Sequence, residues 1–311
     1  MKLRARSTSI LVAAVATLGL LAGCGGGQNA GSPGGNGELS GVTITVGSKE
    51  FTESKVLGQL AAVALENAGA EVNDKTGITG SATVREALTT KQIDLYWDYT
   101  GTGWVNILGN EPTDVPDDLY EQVKQADAKN GVAWLPPAKF ENAYGIAVKN
   151  AFATEHNIKK LGDAAEFIKQ NPDQGAVCAA SEFINRDDGL PGLQKAYGFK
   201  FSNVVELDLN LVYPQIGKDC AFGEVTTTEA RIAANDLLVL EDDRNFFIEY
   251  LGAVTLRQET LDQHPAIAEI MAPISEKLTA EVMIDLNGRV DLDGESERDV
   301  AEEWLKEQGL I

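Results

Sequence analysis

GVTITVGSKEFTE (41–53) opens the folded part of the chain with a change of period. GVTITV alternates apolar residues with Thr, the two-residue repeat of a half-buried strand. Beyond Thr52, Val56, Leu57, Leu60, Ala61, Ala64, Leu65 and Ala68 recur at helical spacing, and Gly69 marks a stop. GSKE is therefore a strand-to-helix turn. Its side chains crowd the carboxyl end of a strand, where open α/β sheets place their ligands.

The same alternation runs outward from there. DLYWDYTGTGW (94–104) carries four of the chain's 21 aromatic residues beside Thr and Gly, and reads as a strand over 93–97 entering a Tyr-Thr-Gly-Thr turn. Short extended pieces are predicted at 70–73 and 82–84, helices at 84–90 and 115–130, and strands at 132–135 and 143–148. The pattern restarts near 150, with helices at 163–169 and 192–197 and strands at 175–180, 204–208, 221–226 and 237–241. The last 55 residues read as mainly helical, closing with a helix over 297–307. Strands alternating with helices in two runs predict α/β layers in two lobes that share a seam.

Ahead of this body, Lys2, Arg4 and Arg6 precede a short apolar run (10–21) that ends in Leu21-Ala22-Gly23-Cys24. This is the layout of a secretory leader over 1–23. The Leu-Ala-Gly-Cys ending resembles a bacterial lipoprotein box, which makes Cys24 the lipidated first residue of the mature chain. Residues 24–40 are rich in Gly and predict a flexible tether. Localisation at the outer face of a cell membrane, held by the lipid, follows as an expectation. No later segment has about 18 uninterrupted apolar residues, the length of a spanning helix.

Removing Lys2, Arg4 and Arg6 with the leader takes the net formal charge from −21 to −24. That argues against nucleic acid as a partner, because phosphate recognition needs clustered Lys and Arg. Cys178 and Cys220 remain after Cys24, and in an oxidising compartment they predict one disulfide between neighbouring strands. With two His (156 and 264) and neither CxxC nor HExxH, no metal site is expected, and no cofactor motif is present. No nucleophile–base pair stands in any candidate segment. Asp242-Asp243 reads as a solvated acidic face, so an enzyme is not expected.

Four segments together resemble one family. They are GSKEFTE (47–53), DLYWDYTGT (94–102), EFINRDDGLPGL (182–193) and LEDDRNFF (240–247). In order and spacing they are similar to the substrate-binding lipoproteins of glycine betaine, carnitine and choline ABC transporters, over residues 42–311. The resemblance implies a two-lobed periplasmic-binding-protein fold of the type II kind, with the ligand in the cleft between lobes. It divides the body into 41–147 plus 249–311 for lobe one and 148–248 for lobe two. It also implies a monomer that passes its solute to a membrane permease.

A trimethylammonium group has a full charge and no N–H to donate, so aromatic faces are the natural surface to hold it. A betaine carboxylate wants Arg or Lys at the other end. By resemblance, Tyr99, Tyr144 and Tyr250 match the aromatic positions, and Lys49, Thr102 and Arg186 match the polar ones. Tyr96, Trp97 and Trp104 read as packing. The chain departs from the family at Thr226, where a further Tyr is usual. The cage is then expected to be open on that side, favouring a bulkier or more hydroxylated solute, or filled by Tyr213 or Phe222. The alternative ligand is another small zwitterion, such as an amino acid or ectoine.

Overall fold

The computed structural model describes residues 37–311. The expected leader, the lipidated Cys24 and residues 25–36 of the tether lie outside the described residues. The remainder of the tether departs from expectation. Residues 37–40 form a turn whose Leu39 is buried in the core, with its N–H donating to the Ala68 carbonyl. One apolar side chain at the end of a Gly-rich run is enough to fix it.

The strands are β1 (Thr43–Lys49), β2 (Glu71–Ile78), β3 (Leu95–Tyr99), β4 (Val132–Trp134), β5 (Tyr144–Lys149), β6 (Ala176–Ala179), β7 (Asn203–Glu206), β8 (Phe222–Thr226), β9 (Leu237–Val239) and β10 (Gly252–Arg257). They form two five-stranded sheets, in the orders β2-β1-β3-β10-β4 and β7-β6-β8-β5-β9. Both sheets belong to one compact unit. In the first sheet β1 runs parallel to β2 and β3, and β10 inserts antiparallel between β3 and β4. In the second, β6 is parallel to β7 and β8, while β5 is antiparallel to β8 and β9. The mixed α/β class of a two-lobed binding protein is thus met.

Helix Thr52–Asn67 buries 13 of its 16 residues, so it is a central helix and not a surface one. It packs under the first sheet with helices Ala266–Lys277, Ala280–Asp291 and Glu297–Glu307, around Leu57, Leu60, Met271 and Leu305. Burying each such side chain contributes about 1.5–3 kcal/mol. The second lobe has its own core, built on Phe183, Leu193, Phe201 and Phe222. Cys178 in β6 is bridged to Cys220, just ahead of β8, with Cα atoms 5.6 Å apart.

Two local expectations are corrected, and one element is added: β10 falls in a stretch, just ahead of the helical last 55 residues, for which the sequence predicts no element. Residues 82–84, read as extended, begin helix Ser81–Thr89, whose entry is set by Gly80 at φ +86°. The lobe boundary expected between 147 and 148 would cut through β5, which hydrogen-bonds to β8 and β9 and is part of the second sheet. The chain passes between sheets after β4 and again before β10. These passages bring Asn142, Tyr144 and Tyr250 to the seam. Among the described residues, no helix is long and apolar enough to cross a membrane.

Candidate functional site

A cavity of about 920 Å³ lies between the two sheets, lined from both. The first lobe supplies Lys49 from the end of β1, Phe51 from the turn that follows, and Thr102 from the turn after β3. The second supplies Tyr144 at the head of β5, Arg186, and Glu224 and Thr226 on β8. Tyr250 comes from the returning passage. Lys49, Thr102, Tyr144, Arg186, Thr226 and Tyr250, all candidates from the sequence, therefore share one cavity.

The aromatic part is compact. The Tyr144 and Tyr250 rings meet edge to face, with centroids 5.4 Å apart, and Phe183 backs Tyr144 at 5.0 Å. Tyr250 donates its hydroxyl to Asp188 Oδ2 at 2.5 Å. Its ring packs close against Gly101, where an added Cβ would stand 2.5 Å from a ring carbon. That is why the Tyr-Thr-Gly-Thr turn needs glycine at this position: any side chain would push the ring away.

The basic side chains are already partnered. Lys49 Nζ is 2.8 Å from Asp98 Oδ1 and is almost fully buried. Arg186 forms a fork on Asp188, at 2.7 and 2.5 Å, and donates to Glu182 at 2.8 Å. Its Nη1 also reaches Thr102 Oγ1 at 3.4 Å, across the cleft. Glu182 in turn accepts from the Ser81 N–H at 3.2 Å and from its hydroxyl at 2.5 Å, so the lobes are bridged at this edge. Burial pushes the Glu182 carboxyl up, but Lys49, Arg186 and the Ser81 hydrogen bond outweigh it and bring it down to about 2.

Glu224 differs. It is 1% exposed, accepts one hydrogen bond from the Ala180 N–H at 2.6 Å, and has no ion pair among the described residues. Burial, with Glu182 adding, pushes its carboxyl up to about 8 against the pull of Ala180 and Arg186.

Two candidates lie elsewhere. Tyr99 is one layer behind the cavity wall. Its hydroxyl donates to Glu53 Oε1 at 2.7 Å, and Lys49 Nζ covers its ring at 5.1 Å. Tyr213 is fully buried, accepts the Thr226 N–H at 3.2 Å, and has the Arg231 guanidinium over its ring at 4.6 Å. Phe222 is in the second core. Neither the Tyr213 nor the Phe222 ring enters the cavity lining beside Thr226. Tyr96 and Trp97 are buried, as packing residues should be.

Sequence reasoning missed Phe51, Glu182 and Glu224. Phe51 sits inside GSKEFTE, next to Lys49. Glu182 stands four residues before Arg186, the spacing of a helical ion pair. Glu224 is a lone charge on the otherwise buried strand FGEVT, and that was its signal. Among the described residues there is no cluster of His, Cys, Asp and Glu able to hold a metal.

Comparison with known proteins gives the setting. The family described as the substrate binding domain of ABC-type glycine betaine transport systems matches residues 42–307. A glycine-betaine-binding protein of Pseudomonas aeruginosa is 33% identical, over 86% of this chain and 89% of that protein. The ergothioneine transport permease/ergothioneine binding protein of Helicobacter pylori is also 33% identical, over 86% of this chain and 48% of that longer protein. Among solved structures, the apo glycine betaine-binding protein YehZ of Escherichia coli superposes with a TM-score of 0.62 at 28% identity, over 86% of this chain and 99% of that chain.

Proposed function

Because this chain belongs to the family of substrate-binding domains of ABC-type glycine betaine transport systems, we propose that it captures a quaternary ammonium solute of the glycine betaine, choline or carnitine class. In this reading it works outside the cytoplasm, anchored through a lipid on Cys24, and hands the solute to a permease. The observation that carries the reading is the pair of Tyr144 and Tyr250 rings beside Arg186, Lys49 and Thr102 in one cavity between lobes. Ring faces supply the diffuse negative potential that a methylated ammonium needs, at about 0.5–2 kcal/mol each. Lys49, Thr102 and Arg186 are placed to meet a carboxylate at the other end, in exchange for part of their bonding to Asp98 and Asp188.

A ligand touching both lobes favours the closed state in proportion to its differential affinity, and closure is what a transporter can read. Calorimetric titration of the purified body with glycine betaine, choline, carnitine, proline betaine and ectoine tests this. Ergothioneine, the solute named for the Helicobacter pylori relative, belongs in the same panel because the cavity has room beyond a small betaine. Saturable binding of at least one methylated ammonium compound is expected. Binding of ordinary amino acids or ectoine alone would remove the aromatic-cage reading and leave the second one, a general zwitterion receptor. That second reading draws on Arg186, which already covers the Tyr144 ring at 5.5 Å, and on the polar Thr226.

A further inference from the structure

The charged groups of the cavity do not balance. Lys49 and Arg186 each have a carboxylate of their own, at 2.8 Å from Asp98 and in the fork on Asp188. Glu182 is held by Arg186 and Ser81. Glu206 at the end of β7, Asp208 just beyond it, and Glu50, after β1, add further acidic groups to the lining. Glu224 is the buried cavity carboxyl left with no cation, and one of its two oxygens has no hydrogen-bond partner among the described residues. That oxygen is not sealed in the core: Glu224 lines the cavity, where a donor that enters can reach it. The wall beside it carries Thr226 in place of a ring.

We infer that Glu224 is the specificity-determining residue of the cleft, selecting a cationic quaternary ammonium solute with a hydroxyl over a zwitterionic betaine. This inference rests on the proposed function. The open Glu224 oxygen accepts the ligand's O–H, and its charge, beside that of Glu182, offsets the ammonium. A betaine has no O–H to offer that oxygen, and the carboxylate it brings to Lys49, Thr102 and Arg186 is opposed by Glu182 on the same Arg186 and by Glu224. In the empty protein Glu224 holds its proton at neutral pH, since burial pushes it up to about 8. Binding the cation favours the ionised form, so the proton leaves to solvent as the ligand enters.

The titratable and charged groups around Glu224 are Glu182 and Arg186 beyond β6, Tyr144 on β5, and Tyr213, whose hydroxyl lies on Thr226. Lys49 and Glu50 lie across the cavity, and Glu206 and Asp208 at its edge. Glu182 stays ionised with its carboxyl near 2, and burial holds the Tyr144 and Tyr250 phenols well above their usual range. None of these three changes charge between pH 7 and 9.

The test is calorimetry with choline and with glycine betaine at pH 7 and pH 9, on the wild type and Glu224→Gln. Choline should bind about tenfold more tightly at pH 9, as the ionised fraction of a group with a pKa of about 8 rises from about 0.1 to 0.9. In buffers of different ionisation enthalpy, about 0.9 proton should be released per choline at pH 7. Glu224→Gln keeps the Ala180 hydrogen bond through its amide oxygen. It should bind choline with no pH dependence and about tenfold more weakly than wild type at pH 9, while holding glycine betaine at least as well. The melting temperature reports whether the variant is folded. Choline affinity that is flat with pH in the wild type, or equal losses for both ligands in the variant, overturns the assignment of Glu224 while leaving the proposed function standing. Failure of both ligands to bind the wild type overturns the inference, and takes down the reading with it when no other methylated ammonium compound of the panel binds.

Discussion

Two glutamates, both fully buried, stand on either side of the cavity wall, and the protein treats them in opposite ways. Behind the wall, Glu53 accepts hydrogen bonds from Tyr99 at 2.7 Å, Asn142 at 2.7 Å, Thr228 at 2.5 Å and Asn287 at 3.3 Å. Those donors come from a strand of the first sheet, the passage between lobes, the segment after β8, and helix Ala280–Asp291. In front of the wall, Glu224 has one donor, Ala180. Burial raises both carboxyls, but at Glu53 four side-chain hydrogen bonds oppose it. A satisfied buried carboxyl joins parts of a structure; an unsatisfied one facing a cavity is open to a visitor.

The sharpest break of this comparison is Glu53→Ala. It strips four donors of their acceptor in a sealed site and should destabilise the protein by about 3–5 kcal/mol. Denaturant unfolding measures it, and a loss under about 1 kcal/mol would mean that the hub is not structural. Glu224 should behave otherwise, through pH. Its folded carboxyl lies at about 8 against an ordinary value of 4.5, so the folded state holds a proton that the unfolded chain has released. The stability this gives is full below about pH 4.5 and is lost as pH rises through about 8. Between pH 5.5 and 8.5, Glu224→Gln should therefore gain on the wild type by on the order of 2 kcal/mol, smaller than the full shift because water enters the cleft. Parallel stability curves for the two proteins would contradict the unsatisfied state of Glu224.

The rings make the same division at smaller scale. Tyr144→Ala should lower affinity for a methylated ammonium solute roughly tenfold, by removal of a ring face that lines the cavity. Tyr99→Phe should leave affinity within about twofold and lower stability by about 1 kcal/mol, since only the bond to Glu53 is lost. A binding titration and a melt on each variant decide it. If Tyr99→Phe is the one that loses the ligand, the two tyrosines have exchanged roles.

How much of this was legible depends on what a single strand or helix can show. The turn in GVTITVGSKEFTE was readable because the period changes within a few residues, and it led to Lys49. Cys178 and Cys220 were readable as a pair because they alone remained. β10 was not, because GAVTLR runs straight into helix Gln258–Gln263 and its antiparallel partners, β3 and β4, are over a hundred residues away. Helix Leu209–Gln215 was hidden by Pro214 near its end. At the site, all five residues of β3 are buried, so alternation could not tell which face of the strand meets the ligand. Tyr99 was therefore placed one layer too far forward. Glu53 was in plain view in FTE, but its role exists only where four distant segments converge. Partnering across segments is the information that a linear reading lacks.

The grip of Ser81 on Glu182 carries a further consequence. This contact joins the lobes with no solute in its hydrogen bonds, so some of the free energy of closure is built into the chain. Such a device raises apparent affinity by enlarging the closed fraction of the empty protein. It also narrows the contrast between empty and loaded forms, which is the whole message a downstream reader receives. Strengthening the grip makes a better scavenger and a worse messenger. The single Ser–Glu contact at the rim is thus a setting on signal against background.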